Sequence, residues 1–333
     1  MKKILIFGVV LMMAVLSAAK PKAPVQDAEI QKETLKNEKR FVGILPPGVK
    51  TVAFISPGSY PGSKAHKRGI ELLEKAGYKV KVMPNAFVRQ KDIAQAPLAG
   101  RLSDFYAAWN DPEVDMILCV RGGRGSEQVM DNIDWSKLKD SPELYFQGYS
   151  DITLITAALL AKGKGHPISG FMSGSLPGLS KDSIDAAKTI NYGEQLGPIK
   201  LETLVPGDCK GLPFAGLIAR VNTLAVKNYR PDTKGRIIFL EAVSTSAGQI
   251  TEHLYNLLEK KFFADAAGVV FCQFMRCKDA DKIDPIIREI APKLGVPVYR
   301  GYPYGHSSKL YCIDLMCPVE IKKGQLTFPA VKK

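Results

Sequence analysis

Histidine, tryptophan and cysteine are all sparse in this chain, with four, two and six residues in 333. So little histidine leaves only His66, His166, His253 and His306 as imidazole bases. The cysteines, Cys119, Cys209, Cys272, Cys277, Cys312 and Cys317, include two Cys-x4-Cys pairs but no accompanying His-rich turn. Zinc pairs are usually spaced more tightly, so no metal site is expected. Neither a Gly-x-x-x-x-Gly-Lys-[Ser/Thr] run nor a Gly-x-Gly-x-x-Gly run occurs, and that argues against a nucleotide phosphate cradle. Beyond residue 19 no apolar stretch approaches the roughly 20 residues that a bilayer-spanning helix needs. There is no internal repeat. Acidic residues are outnumbered 33 to 46, a net charge of +13, which suits an anionic partner. The basic residues are scattered and not interleaved with aromatics, so nucleic acid is not the expected partner.

With 46% hydrophobic and 24% charged residues the composition is that of a globular protein, and the length favours two domains. Lys2 and Lys3 precede an apolar run, Ile4 to Leu16, and Ser17-Ala18-Ala19 offers the small residues that a signal peptidase reads. Residues 1–19 are therefore expected to be a secretory signal, and the mature chain is expected to be periplasmic or extracellular. In such an oxidising compartment the cysteines could pair, although the sequence selects no connectivity. Cys119, inside an apolar run, reads as a small buried hydrophobe. Residues 20–50, rich in charge and proline, read as a tether.

From Thr51 strands and helices alternate. Strands are expected at 51–55, 79–83, 116–120 and 144–147. Helices are expected before Ala76, from Leu98 to Asp111-Pro112, and over 152–161. This spacing implies βαβ units and a mostly parallel sheet, hence a Rossmann-like N-terminal domain over 51–170. Residues 171–205, dominated by Gly, Ser and Pro, read as a linker. A smaller C-terminal α/β domain over 206–330 follows, with strands at 236–241, 268–272 and 298–300, two helices, and a terminal hairpin turning at Lys323-Gly324.

Arg121-Gly122-Gly123-Arg124-Gly125-Ser126 follows the third strand. Glycines before a serine at a strand-to-helix junction permit a tight turn that lifts a hydroxyl above the sheet. Ser126 is thus a candidate nucleophile, although it could equally cap the next helix or help cradle a phosphate. Among the histidines, His306 ends the Gly/Pro-rich loop Gly301-Tyr-Pro-Tyr-Gly-His306, where a base could be displayed. Glu241 ends an apolar strand, an unusual place for a charge without a partner.

These segments resemble the serine LD-carboxypeptidases, the group of muramoyltetrapeptide carboxypeptidase and the microcin C self-immunity protein. The resemblance runs from Thr51 to Phe328. It rests on Asp111-Pro-Glu-Val-Asp115, Arg121-Gly-Gly-x-Gly-Ser126, Asp134-Trp135, Gly148-Tyr-Ser-Asp-Ile-Thr153, Phe239-Leu-Glu241 and Gly301-Tyr-Pro-x-Gly-His306. It implies a site in the cleft between the two domains, with Ser126 as nucleophile, His306 as base and Glu241 orienting the imidazole. It implies release of a terminal D-alanine from peptidoglycan tetrapeptides, with no cofactor. The backbone N–H of Glu127 is then an expected oxyanion donor. Two positions depart from the family pattern. Arg124 replaces a common aromatic residue, and Ser169-Gly-Phe-Met172 stands where His-Gly-Pro-Met is frequent. Arg124 either grips a substrate carboxylate or points into solvent. A microcin-immunity-like peptide-nucleotide amidase and a non-catalytic cell-wall-binding module are the alternative functions, and a homodimer is left open.

Overall fold

A computed structural model describes residues 39–227 and 229–330, so the signal segment 1–19 and most of the tether lie outside the described residues. The first sheet is built from β1 (Thr51–Ile55), β2 (Lys79–Val82), β3 (Met116–Cys119), β4 (Tyr145–Gly148) and β5 (His166–Ser169). These pair in parallel in the order β2-β1-β3-β4-β5. Every residue of β1 and β3 is buried, as strands covered on both faces require. The covering helices are α1 (Lys64–Lys75), α2 (Leu98–Asn110), α3 (Ser126–Asn132) and α4 (Thr153–Lys162). Helix α2 stops where Pro112 disfavours helical backbone at Asp111, and α4 stops at Gly163, whose φ of 59° closes the last turn. In α2, Trp109 is 2% exposed and stacks on Phe105. Truncation of such a core aromatic to alanine costs about 3–5 kcal/mol.

Two stretches differ from their sequence-based reading. The expected linker holds α5 (Lys181–Asn191), β6 (Leu196–Lys200) and β7 (Glu202–Val205). Ser180 caps α5 by accepting the Ser183 N–H. Strands β6 and β7 find their partners more than ninety residues downstream by chain position, a pairing that local periodicity cannot reveal. The end of the expected tether is also part of the core: Phe41 and Ile44 are fully buried, and Asn191 at the end of α5 donates to the Ile44 carbonyl at 2.7 Å.

The second sheet contains β9 (Pro213–Leu217), β10 (Ile237–Val243), β11 (Gly268–Met275) and β12 (Val298–Arg300) in parallel, with β7 antiparallel on β12. The strand β8 (Cys209–Gly211) lies instead in a small antiparallel sheet with β6 and the expected hairpin, β14 (Val319–Lys322) and β15 (Gln325–Phe328). Helices α6 (Ile218–Leu224), α7 (Ala247–Glu259) and α8 (Ala280–Ile290) complete this region. The chain then crosses back, and β13 (Ile313–Asp314) pairs antiparallel with β5 on the edge of the first sheet. None of the six cysteines is in a disulfide, and Cys119 is fully buried, where burial raises its pKa well above the ordinary thiol range.

Candidate active site

In an open parallel sheet, ligands bind beyond the carboxyl ends of the strands, where successive connections diverge to opposite sides. Here β1, β3 and β4 deliver the Ser56–Ser59 turn, the glycine loop Arg121–Gly125 and the turn Tyr149–Ile152 to that edge. A cleft of about 1430 Å³ opens there, lined by Gly122, Ser150, Arg220, Arg276 and His306 among others, so both sheets contribute walls.

Strand β4 ends at Gly148 and α4 begins at Thr153, so the chain must reverse within four residues. Ser150 takes the strain, with φ at +65°. Such a conformation costs a residue with a Cβ about 1–3 kcal/mol and persists only where the surroundings enforce it. The surroundings are tight: a Cβ at Gly148 would lie 2.7 Å from Ile152 Cγ2, and one at Gly122 would lie 3.3 Å from Ser150 Oγ and 3.2 Å from the Asp151 nitrogen. Two glycines thus let neighbouring backbone close around the serine.

Ser150 Oγ lies 3.0 Å from His306 Nε2, and His306 Nδ1 lies 3.0 Å from Glu241 Oε2. A carboxylate only accepts, so Nδ1 carries the proton, and Nε2 of the neutral ring is left to accept the Ser150 hydroxyl proton. Glu241 is fully buried at a register shift between β10 and β11, an irregularity of the kind that re-aims a side chain out of the ladder. Burial pushes its carboxyl pKa above the usual range, while the contact with His306 draws it back. The Tyr149 ring packs against the imidazole with centroids 4.8 Å apart. A serine, an imidazole and a carboxylate linked in this order can form and break an acyl–enzyme bond.

Glu241 and His306 meet as expected, but Ser126 does not join them. Its hydroxyl is buried without a hydrogen-bond partner, because Gly125, with φ at 112°, makes the turn and leaves Ser126 as the first residue of α3. The Ser126 backbone N–H instead donates to Asp151 Oδ2 at 2.9 Å, tying the glycine loop to the Ser150 turn. The N–H directly after Ser150 belongs to Asp151, whereas Glu127, the expected oxyanion donor, follows Ser126 and its carboxylate pairs with Lys227 at 3.0 Å. Arg124 lines the cleft with an exposed side chain while Ser59 and Gln95 hold its backbone. Ser150 was legible as the serine of Gly148-Tyr-Ser-Asp immediately after a strand and before a helix. Arg220, which forms an ion pair with Asp151 Oδ1 at 2.6 Å through Nε, carries no such signal.

Residues 52–170 match the model of the LD-carboxypeptidase N-terminal domain, and residues 210–321 match that of the LD-carboxypeptidase C-terminal domain. The chain is 28% identical over 297 residues to the "Probable murein peptide carboxypeptidase" of Bacillus subtilis, covering 83% of this chain and 90% of that one. It is 23% identical over 275 residues to the murein tetrapeptide carboxypeptidase of Pseudomonas aeruginosa, covering 78% and 88% respectively. Among solved structures, the muramoyltetrapeptide carboxypeptidase of Oxalobacter formigenes superposes with a TM-score of 0.74 at 23% identity, over 84% of this chain and 97% of the other. The wild-type microcin C7 self immunity protein superposes at 0.72 with 17% identity, over 86% and 97%. At these identities the structures bear on fold alone, a mixed α/β architecture in two parts.

Proposed function

We propose that this chain, which belongs to the LD-carboxypeptidase family, hydrolyses the amide between an L-configured centre and a terminal D-alanine in peptidoglycan tetrapeptides, with Ser150 as nucleophile. The observation that carries this reading is the contact series Ser150–His306–Glu241 on a strained strand-to-helix turn. The names of the murein peptide relatives support the substrate class. Ser150 Oγ attacks the carbonyl carbon while His306 Nε2 takes its proton. Glu241 holds the ring by the Nδ1 proton and stabilises the imidazolium that forms. The tetrahedral oxyanion is received by the Asp151 N–H and by backbone of the adjacent glycine loop. Collapse expels D-alanine as its amine accepts the proton from His306. Water activated by the same imidazole then releases the acyl group.

Incubating the purified protein with murein tetrapeptide and following D-alanine by mass tests the reading. Release of D-alanine that disappears in Ser150→Ala is the expected result. No release from any L,D-linked tetrapeptide overturns it. The same reading takes residues 1–19 as a signal removed after Ala19, which places the enzyme outside the cytoplasm. An intact mass beginning at Lys20 is then expected for the exported form, and retention of Met1 would refute removal.

A further inference from the structure

Four arginines, Arg121, Arg124, Arg220 and Arg276, line the cleft. Its acidic residues are both already paired, Glu127 with Lys227 and Asp151 with Arg220. The cleft therefore holds an excess of positive charge, which suits a substrate carrying carboxylates. The four cations are not equivalent. Arg121, Arg124 and Arg276 have exposed side chains, tied at most by a single bond to a backbone carbonyl: Arg121 to Tyr60 at 2.8 Å, and Arg276 to His306 at 3.4 Å. A side chain so loosely held must lose rotamer freedom when it grips a ligand.

Arg220 is already fixed. Its Nε lies 2.6 Å from Oδ1 of Asp151, whose side chain is 1% exposed against 23% for Arg220. The N–H does not point along a hydrogen-bond line at that oxygen, so the contact is an ion pair and not an in-line hydrogen bond. The backbone beneath Arg220 is fixed as well. The Leu217 N–H donates to Thr153 Oγ1 at 3.1 Å, and a Cβ on Gly216 would lie 2.4 Å from Thr153 Cγ2. The junction of β9 and α6 is thereby seated on the first turn of α4, the helix that starts behind Ser150. Asp151, the anchor, is also the residue directly after Ser150. Among the described residues neither terminal nitrogen of Arg220 has a hydrogen-bond partner, so the outer fork of the guanidinium is left for a ligand.

We infer that Arg220 is the specificity residue that reads the carboxylate of the leaving D-amino acid. The inference rests on the carboxypeptidase reading above and adds which side chain enforces it. A planar guanidinium held on one edge by a buried carboxylate can present its other edge to a second carboxylate with two parallel bonds, and little ordering remains to be done on binding. Attack by Ser150 then depends on the substrate ending at the residue after the scissile amide, because only a free terminal carboxylate fits that fork.

Two substrates decide the matter, an L,D-tetrapeptide and the same peptide with its terminal carboxylate converted to a primary amide. The wild-type protein is expected to prefer the acid by at least tenfold in kcat/KM, and equal rates on both would overturn the inference without any variant. In Arg220→Met, kcat should fall on both substrates because Asp151 loses its anchor. The acid should in addition suffer a rise in KM that the amide does not share, shrinking the preference by about ten- to a hundredfold. Arg220→Lys, which keeps the charge and loses the fork, is expected to fall between. An unchanged acid-to-amide ratio in both variants would reduce Arg220 to a support for Asp151. A wild-type protein that cuts neither peptide would instead refute the carboxypeptidase reading itself.

Discussion

The turns after β3 and β4 each bring a serine to the start of a helix, and only the second presents it to the imidazole. After β3 the positive-φ position closest to the serine falls on Gly125, so Ser126 enters α3 with its hydroxyl turned inward and unpartnered. After β4 the positive-φ position falls on Ser150 itself, and the hydroxyl stands at the imidazole. One residue's difference in where the backbone inverts separates a serine buried in a helix start from the one proposed as nucleophile. Glycine in a turn relieves strain and, in doing so, removes the reason for a side chain to project. The glycine loop still serves the site: its backbone closes over Ser150, and the Ser126 N–H secures Asp151.

The contrast is broken most directly by removing each hydroxyl. Ser150→Ala is expected to lower kcat by about 10⁴ to 10⁶, the scale seen when a nucleophile is deleted from a coupled triad. Ser126→Ala should leave kcat within a few-fold and melt no lower than wild type, because it removes a buried hydroxyl that has no partner. Steady-state kinetics and thermal melting check both, and the reverse assignment of the two phenotypes would sink the comparison. A smaller effect is expected from Gly122→Ala, whose Cβ would sit 3.1 Å from Ser150 Cβ and 3.2 Å from the Asp151 nitrogen. Pushing the oxyanion donor aside by tenths of an ångström should lower kcat by roughly 10- to 100-fold with little change in KM. A Gly122→Ala protein with wild-type kcat would show that the loop does not border the reacting atoms.

The smallest effect lies in pH. Burial holds the Glu241 carboxyl above its ordinary pKa, so the native state binds that proton more tightly than the unfolded chain. Its favourable contribution is complete below the unfolded value of about 4.3 and fades as pH rises through the folded one. Glu241→Gln has no such group to titrate. Its melting temperature relative to wild type should therefore climb from acid toward neutral pH, whereas the Ser126→Ala difference, with no ionisable group removed, should stay flat. A Glu241→Gln difference that falls over this range contradicts the sign of the burial effect.

Much of the architecture could be read before any coordinates. The apolar runs of β1 and β3, alternating with helices, announced strands of a mostly parallel sheet, Pro112 marked the end of α2, and Lys323-Gly324 marked the hairpin. Glu241 and His306 stood out because a charge at the end of an apolar strand and a histidine in a glycine-rich loop both need a reason. Ser126 misled because spacing records where glycines fall and not which residue takes the positive φ. Residues 171–205 were opaque for another reason: β6 and β7 complete sheets whose other strands lie far along the chain, so nothing local marks them. Phe41 and Ile44 fall in the stretch read as a tether, because nothing local shows that Asn191 at the end of α5 reaches the Ile44 carbonyl.

The short strand β13 sets the order in which the molecule can become competent. It closes the β5 edge of the first sheet, and its Asp314 meets His166 at 2.8 Å across that seam. During synthesis Ser150 and all five parallel strands of the first sheet emerge long before Ile313 and Asp314 do. Until then β5 shows an open edge, the kind of surface on which chains pair wrongly. His306 lies on the same returning stretch, between β12 in one sheet and β13 in the other. The late segment that hides the sticky edge thus also carries His306, so a chain halted before it lacks both the cover on β5 and the proposed base.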